Sequence, residues 1–284
     1  MHERRWIEVG CLLPLVLAGC GGGRLALTDQ SVTAAPLVGG NWAFQPVAIT
    51  PSTPAALPPF SAGSVSVNGS QVSADVLTLL LVTANCPITN PDVMLSGTVA
   101  KGQISLTSAS WNGAIFTVTG TVASDGQSIS ATWSAKGGCV DGQSGSLAGY
   151  YVAPVTGTWT GTASNPLLST TTSPLAGANV TFQLQQSSSP TRYAFPLAGS
   201  VTVSGTNCGF QQGTLMEESD LSLPAPSLIT GEAWTILAKM DDGKSLLIAA
   251  GGPLLLKPNQ AIGVFEVSGG ACDGAFAQLT LTKQ

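Results

Sequence analysis

Side chains that could act as nucleophiles or general bases are scarce in this chain. The only histidine is His2, so the rest of the chain can form no Ser-His-Asp triad, no Cys-His pair and no His-based zinc motif. Gly243-Lys244-Ser245 matches the end of a phosphate-binding loop, but Ala238 stands where the first glycine of that loop would be. We therefore expect no nucleotide site.

Carboxylates are the remaining candidates for chemistry. Glu217, Glu218 and Asp220 form an acidic cluster, which could supply the carboxylate pair of a glycosidase or oxygen ligands for Ca²⁺. A solvated loop is the simpler interpretation, and we favour it. Asp141 and Asp273 each precede a glycine, which is typical of a turn, with a ligand contact as the alternative. We expect no catalytic residue, no metal and no cofactor.

Composition and charge exclude several classes of protein. The chain has 284 residues, 34 of them glycine, and only 9% are charged, against roughly 25% in an ordinary soluble domain. With 44% hydrophobic residues, the chain is neither disordered through excess charge nor a helical bundle. A net charge of −5 offers no basic surface for phosphates, so we expect no nucleic-acid partner.

The N-terminus has the pattern of an export signal. Arg4 and Arg5 precede an apolar run that starts at Cys11, and this run is too short to span a membrane as a helix. It ends in Leu17-Ala18-Gly19-Cys20, which resembles the lipobox of bacterial lipoproteins.

The lipobox resemblance implies a lipid anchor. In that family the signal is cleaved before the cysteine, whose thiol receives a diacylglycerol. Carried over to this chain, residues 1–19 are the signal peptide, Cys20 is the lipidated residue, and residues 20–37 are a flexible tether. Gly21 follows where an aspartate would retain an enterobacterial lipoprotein at the inner membrane, so the resemblance favours the outer membrane of the cell envelope.

Four cysteines remain after the signal and the anchor are set aside: Cys86, Cys139, Cys208 and Cys272. An even number in an exported chain indicates disulfides, and four cysteines allow three pairings. The internal repeat described next favours Cys86–Cys139 and Cys208–Cys272, with free buried thiols as the alternative.

The order of landmark residues in the mature chain indicates a tandem repeat. Each copy begins with Gly-x-Trp, ending at Trp42 in the first copy and at Trp159 in the second, and then presents two cysteines, the second followed by Asp-Gly. The last cysteine is shifted by one residue between the copies. We predict one domain over residues 38–153 and a second over 154–284, each of ordinary domain size.

Both repeats read as antiparallel β-structure. Between residues 96 and 136 apolar and polar residues alternate with period two, and Lys101-Gly102, Asn112-Gly113 and Asp125-Gly126 interrupt the alternation. Asn-Gly and Asp-Gly are typical of tight hairpin turns. The pattern predicts an all-β chain with about eight strands per repeat, as small up-and-down barrels or, alternatively, β-sandwiches.

The Gly-x-Trp near the start of each repeat resembles lipocalin- and avidin-like barrels (calycins). In that family the tryptophan plugs one end of the barrel, which implies plug or ligand-contact roles for Trp42 and Trp159. The arginine that partners this tryptophan in the family has no evident counterpart, since Arg192 is the only arginine within either repeat.

Three functional hypotheses follow. The first is a non-enzymatic, membrane-anchored lipoprotein whose barrels bind a small hydrophobic ligand. The second is a structural or adhesive envelope protein with solid-packed β domains. The third is an enzyme such as a carboxylate-based hydrolase. The oligomeric state stays open.

Overall fold

The computed structural model describes residues 36–46, 60–78, 91–166, 172–217, 227–254 and 257–284. Within these residues the chain forms seventeen β-strands and two short 3-10 turns. The strands close into two tandem antiparallel barrels. The predicted all-β class and the predicted barrels are therefore confirmed.

Barrel 1 is a meander in which every strand pairs with the next and β1 pairs with β8 to close the sheet. Closure leaves no strand edge exposed to pairing with another chain. Its strands are β1 (Gly40–Pro46), β2 (Phe60–Asn68), β3 (Gln71–Thr78), β4 (Asp92–Ala100), β5 (Gln103–Ser108), β6 (Ala114–Val122), β7 (Ser128–Gly137) and β8 (Ser144–Val152).

Barrel 2 repeats this order with one addition. Its strands are β9 (Gly157–Ser164), β10 (Asn179–Gln186), β11 (Phe195–Ser204), β12 (Gln212–Leu215), β13 (Leu228–Thr230), β14 (Ala233–Met240), β15 (Leu246–Leu254), β16 (Lys257–Ser268) and β17 (Phe276–Lys283). Strand β9 pairs with both β10 and β17, as β1 does with β2 and β8. The short β13 is a ninth strand, and it pairs with β11 and β14 beside the short β12.

Alternation of side chains builds the interior. On β7, Ile129, Ala131, Trp133 and Ala135 are buried, whereas the serine and threonine between them are exposed. Successive side chains of a strand point to opposite faces, so one apolar face lines the barrel and one polar face meets solvent.

The predicted hairpin turns lie where the sequence placed them. Asn112 and Gly113 both have positive φ, 47° and 79°, between Trp111 and Ala114, which exchange both backbone hydrogen bonds. Positive φ at both central positions matches the right-handed twist of the strands, which is why Asn-Gly suits this turn.

The buried core of barrel 1 begins before the predicted boundary at residue 38. The lipobox resemblance predicted that Leu37 belongs to the tether. Leu37 is instead 4% exposed and packs into the interior of the barrel. The backbone N–H of Val38 also donates to the Gly126 carbonyl oxygen at 3.0 Å. These contacts assign Leu37 and Val38 to the barrel, because both belong to its packing and hydrogen bonding.

The repeated Asp-Gly segments have one conformation. Asp141 Oδ1 accepts from the Gly137 N–H, and Asp273 Oδ1 accepts from the Gly269 N–H, each at 2.6 Å around a 3-10 turn. Both aspartates are thus occupied in closing a turn, as the simpler interpretation predicted.

The predicted disulfide of the second repeat is present. Cys208 and Cys272 are bonded across a sequence separation of 64 residues. Cys139 is also disulfide-bonded, but its predicted partner, Cys86, lies outside the described residues. The Cys86–Cys139 pairing therefore stays a prediction.

Candidate functional site

The two repeat tryptophans occupy equivalent, fully enclosed positions. Trp42 and Trp159 are each 1% exposed. Trp42 Nε1 donates to the Val38 carbonyl oxygen at 2.9 Å, and Trp159 Nε1 donates to the Val155 carbonyl oxygen at 2.7 Å. A buried indole N–H needs such a partner, and here the chain four residues upstream supplies it. Each tryptophan thereby fixes the segment just before the first strand of its barrel to the buried core.

The neighbours of these tryptophans differ between the barrels. Tyr151 stands opposite Trp42 on β8 and packs edge-on, with ring centroids 6.3 Å apart. Lys283 stands opposite Trp159 on β17, with its Nζ 5.7 Å from the ring centroid. A cation over an indole face is attracted by the ring quadrupole. Lys283 therefore makes a cation–π contact with Trp159 where barrel 1 has an aromatic contact.

The apolar cavity that the described residues form inside barrel 1 is small. Its volume is about 20 Å³, which is room for about one water molecule. Aromatic rings pack around Phe116, whose ring contacts those of Phe60, Trp111 and Trp133 at centroid distances of 5.4, 5.7 and 6.4 Å. A fatty acyl chain does not fit this space in the conformation described.

Barrel 2 holds equally large side chains inside. Trp159 packs edge-on against Trp234 with centroids 5.6 Å apart. The other large interior residues that are less than 2% exposed are Leu175, Phe182, Leu197, Ile229, Ile236 and Phe265. Eight-stranded barrels have just enough width for side chains to fill them or for one small ligand, and these large side chains occupy part of the interior of barrel 2.

The junction between the barrels holds a buried polar contact that joins them. Asn41 of β1 is 2% exposed. Its Nδ2 donates to the Gly231 carbonyl oxygen at 2.8 Å, and its Oδ1 accepts from the Gly231 N–H at 2.7 Å. Both polar groups of the amide are thus satisfied by one peptide of barrel 2, in the turn between β13 and β14.

Small residues on the outer face of barrel 1 make this contact close. Ala43 and Ala62 point away from the interior yet are about 5% exposed, because the β13–β14 turn covers them. Gly231 has φ +56°, and a Cβ placed there would lie 2.7 Å from the Ala62 Cβ. The backbone therefore approaches as closely as it does only because residue 231 has no side chain.

A second contact joins the barrels through the turn between β10 and β11. The Arg192 carbonyl oxygen accepts from Ser64 Oγ at 3.0 Å. The Arg192 guanidinium lies 3.5 Å from Asp92 Oδ2 of barrel 1. Arg192 also has a positive φ of 56°, unusual for a residue with a side chain. Because the Arg192 side chain is 72% exposed, this ion pair contributes at most about 1 kcal/mol.

Two carboxylates face this turn, and their surroundings disfavour their charge. Burial raises the pKa of Asp75 above its ordinary value of 3.8, the Asp92 carboxylate raises it further, and Arg192 opposes both effects. Burial also raises the pKa of Asp92, again opposed by Arg192. The pKa of Tyr193 is raised by burial and by the same two carboxylates. The junction thus concentrates negative charge in a partly desolvated place.

The remaining sequence candidates are Cys20 and the acidic cluster at residues 217–220. Cys20, Glu218 and Asp220 lie outside the described residues, and Glu217 is exposed. Among the described residues, no three His, Cys, Asp or Glu side chains group as a metal site. In the same part of the chain, no helix has the length and apolar character needed to cross a membrane.

The sequence patterns did not predict the junction contact between Asn41 and Gly231. One signal was available: Asn41 stands beside the repeat tryptophan, where the second copy has Thr158. A polar amide at a position that the repeat otherwise fills with threonine marks the outer face of β1 as different. Its partner, 190 residues away, leaves no local pattern.

Comparisons with known proteins add little to this picture. No protein-family model and no curated protein matches the chain. Among solved structures, the chain is similar to a crystal structure of a protein of unknown function from the DUF3598 family of Nostoc punctiforme. The two are 11% identical, the match covers 91% of this chain and 100% of that chain, and the TM-score is 0.26.

Proposed function

We propose that this chain is a non-enzymatic, lipid-anchored protein of the bacterial cell envelope, with a structural or adhesive role carried by the outer surfaces of two solid-packed barrels. The single observation that carries the proposal is the filled interior of barrel 1, with about 20 Å³ of space. Small-molecule sites usually offer about 300–1,000 Å³. The filled interior favours the structural or adhesive hypothesis over a hydrophobic ligand held inside the barrel.

The anchor part of the proposal is supported by the sequence. The charged start, the apolar run and the Leu17–Cys20 tetrad occur in the order of a lipoprotein signal. Each buried CH₂ of an acyl chain adds about 0.8 kcal/mol of membrane affinity, so two or more chains anchor a protein stably. The outer membrane is the proposed location, because Gly21 follows the cysteine.

Cell fractionation tests the anchor. We expect the wild-type chain in the membrane pellet, whereas Cys20→Ala should leave unprocessed or soluble protein without acyl groups. Cys11→Ala is the matched control, since it removes a cysteine from the same signal and should change neither processing nor location. Processed Cys20→Ala protein that still sediments with membranes would contradict the anchor.

Native mass spectrometry tests the filled barrels. A soluble chain that starts after Cys20 should give the mass of the polypeptide alone. A copurified hydrophobic molecule, released on unfolding, would instead support ligand binding inside a barrel and refute the structural proposal.

A further inference from the structure

A pocket of mixed chemistry opens where the two barrels meet. It has a volume of about 280 Å³. We call it the junction pocket and define it by Gln127 and Tyr151 of barrel 1, Pro154 of the connection, and Glu232, Asn259 and Lys283 of barrel 2. Trp159, the repeat tryptophan of barrel 2, also lines it.

The walls of the junction pocket are held in place by the fold. Lys283 Nζ donates to the Pro154 carbonyl oxygen at 3.1 Å and lies over the Trp159 ring. Tyr151 is fixed on β8 opposite Trp42. Glu232 directly follows Gly231, the residue that Asn41 binds. The pocket is therefore largely preformed, as ligand sites usually are.

The polar groups of the pocket suit hydroxyl groups. Gln127 and Asn259 carry amides, which both donate and accept hydrogen bonds, and a sugar hydroxyl likewise does both. Glu232 adds an acceptor, and the phenol of Tyr151 adds a group of either kind. The Tyr151 ring and the Pro154 ring supply apolar surface for the C–H face of a pyranose.

The charges of the pocket exclude other ligand classes. It contains one carboxylate and one ammonium among its defining residues, so its charges balance and favour a neutral ligand. The one cation of the pocket, Lys283, already donates to a carbonyl oxygen, and the Glu232 carboxylate would repel a phosphate. A calcium site would need six to eight oxygen ligands. A lipid would leave the amides and charges desolvated without partners.

We infer that the junction pocket binds a neutral saccharide of one or two rings. Its volume lies just below the usual range of small-molecule sites, about 300–1,000 Å³, which suits a ligand smaller than a drug. Sites between two domains are also a preferred location for ligands. This inference goes beyond the proposed function and does not depend on the lipid anchor.

Saturation-transfer NMR and calorimetry on the soluble chain that starts after Cys20 test the inference. The probes are glucose, galactose, N-acetylglucosamine, cellobiose and chitobiose, with inorganic phosphate as the charged comparison. We expect saturable binding of at least one sugar with a Kd on the order of 1 mM, and none of phosphate.

Variants locate the binding. Gln127→Ala with Asn259→Ala should weaken the sugar about tenfold, because two hydrogen-bonding side chains are lost. Both residues are exposed, so the double variant should fold, and its melting curve checks that. Gln45→Ala, also exposed but outside the pocket, should leave the Kd within about twofold.

Three results would overturn the inference. The first is that none of the five sugars binds saturably up to about 50 times the expected Kd. The second is that the Kd of the sugar is unchanged in the folded double variant. The third is that phosphate binds and the sugars do not. None of these would affect the proposed anchor, which is measured by fractionation.

Discussion

Removing the Asn41 side chain should destabilise the junction strongly. In Asn41→Ala the Gly231 N–H and carbonyl oxygen lose their partners at 2.7 and 2.8 Å. Asn41 is 2% exposed, so water cannot replace the amide without opening the contact. Each buried backbone group left without a partner costs about 1–3 kcal/mol. For two groups, allowing for partial relaxation, we expect a loss of about 2–4 kcal/mol in the free energy of unfolding.

Urea and thermal unfolding of the soluble chain, followed by circular dichroism, measure this loss. For chains of this size each kcal/mol lowers the Tm by about 2–4 °C. Thr158→Ala is the matched control, because Thr158 precedes Trp159 as Asn41 precedes Trp42. Thr158 makes one exposed hydrogen bond, to Gln183, so its loss should cost about 0.5 kcal/mol or less.

One result would refute the reasoning. If Asn41→Ala melts like Thr158→Ala, with the same midpoint and the same number of transitions, then the Asn41–Gly231 hydrogen bonds do not join the barrels in solution. If the wild type unfolds in one transition and Asn41→Ala unfolds in two, the contact does couple two domains, each of which can fold alone.

Three further predictions address the junction and the core. Gly231→Ala should cost about 1–3 kcal/mol by urea unfolding, because the new Cβ meets Ala62 and φ is +56°. Asp75→Asn should raise the free energy of unfolding at pH 7 by about 0.5–1 kcal/mol. The pKa of Asp75 is raised in the folded chain, so the wild type loses stability as pH rises from about 3.8 through the folded pKa. The stability gained by Asp75→Asn should therefore vanish near pH 3. An equal gain at pH 3 and pH 7 would contradict this prediction. Cys272→Ser should cost about 4 kcal/mol relative to the oxidised wild type for the 64-residue separation, measured by urea unfolding, and Cys208→Ser, which opens the same disulfide, should cost as much.

Much of the fold could be predicted because it depends on local patterns. Alternation along β7 and the Asn112-Gly113 turn each involve a few neighbouring residues, and both appear in the structure as the sequence indicated. The Cys208–Cys272 disulfide followed from the order of landmarks in the repeat. These features need no knowledge of distant contacts.

The junction could not be predicted in the same way. Ala43, Ala62 and Ser64 are small residues on an outward strand face, and such residues are equally common on a solvated face. Only contact with barrel 2 buries them. The additional strand β13 (Leu228–Thr230) is three residues long, too short to show a period. Its role depends on pairing with β11 and β14, which is a tertiary property.

The junction pocket is concave and chemically mixed, and it lies on the outer surface, so a ligand there needs no cavity inside either barrel. The same turn that places Gly231 against Asn41 also places Glu232 in the junction pocket. The apparent Kd of a ligand is its intrinsic Kd divided by the fraction of molecules in the competent state. Loosening the Asn41 contact should therefore weaken sugar binding even though Asn41 is absent from the pocket, whereas Thr158→Ala should not. Sugar affinity that is indifferent to Asn41→Ala would mean that one barrel alone forms the site, and that the pairing of the barrels serves another purpose.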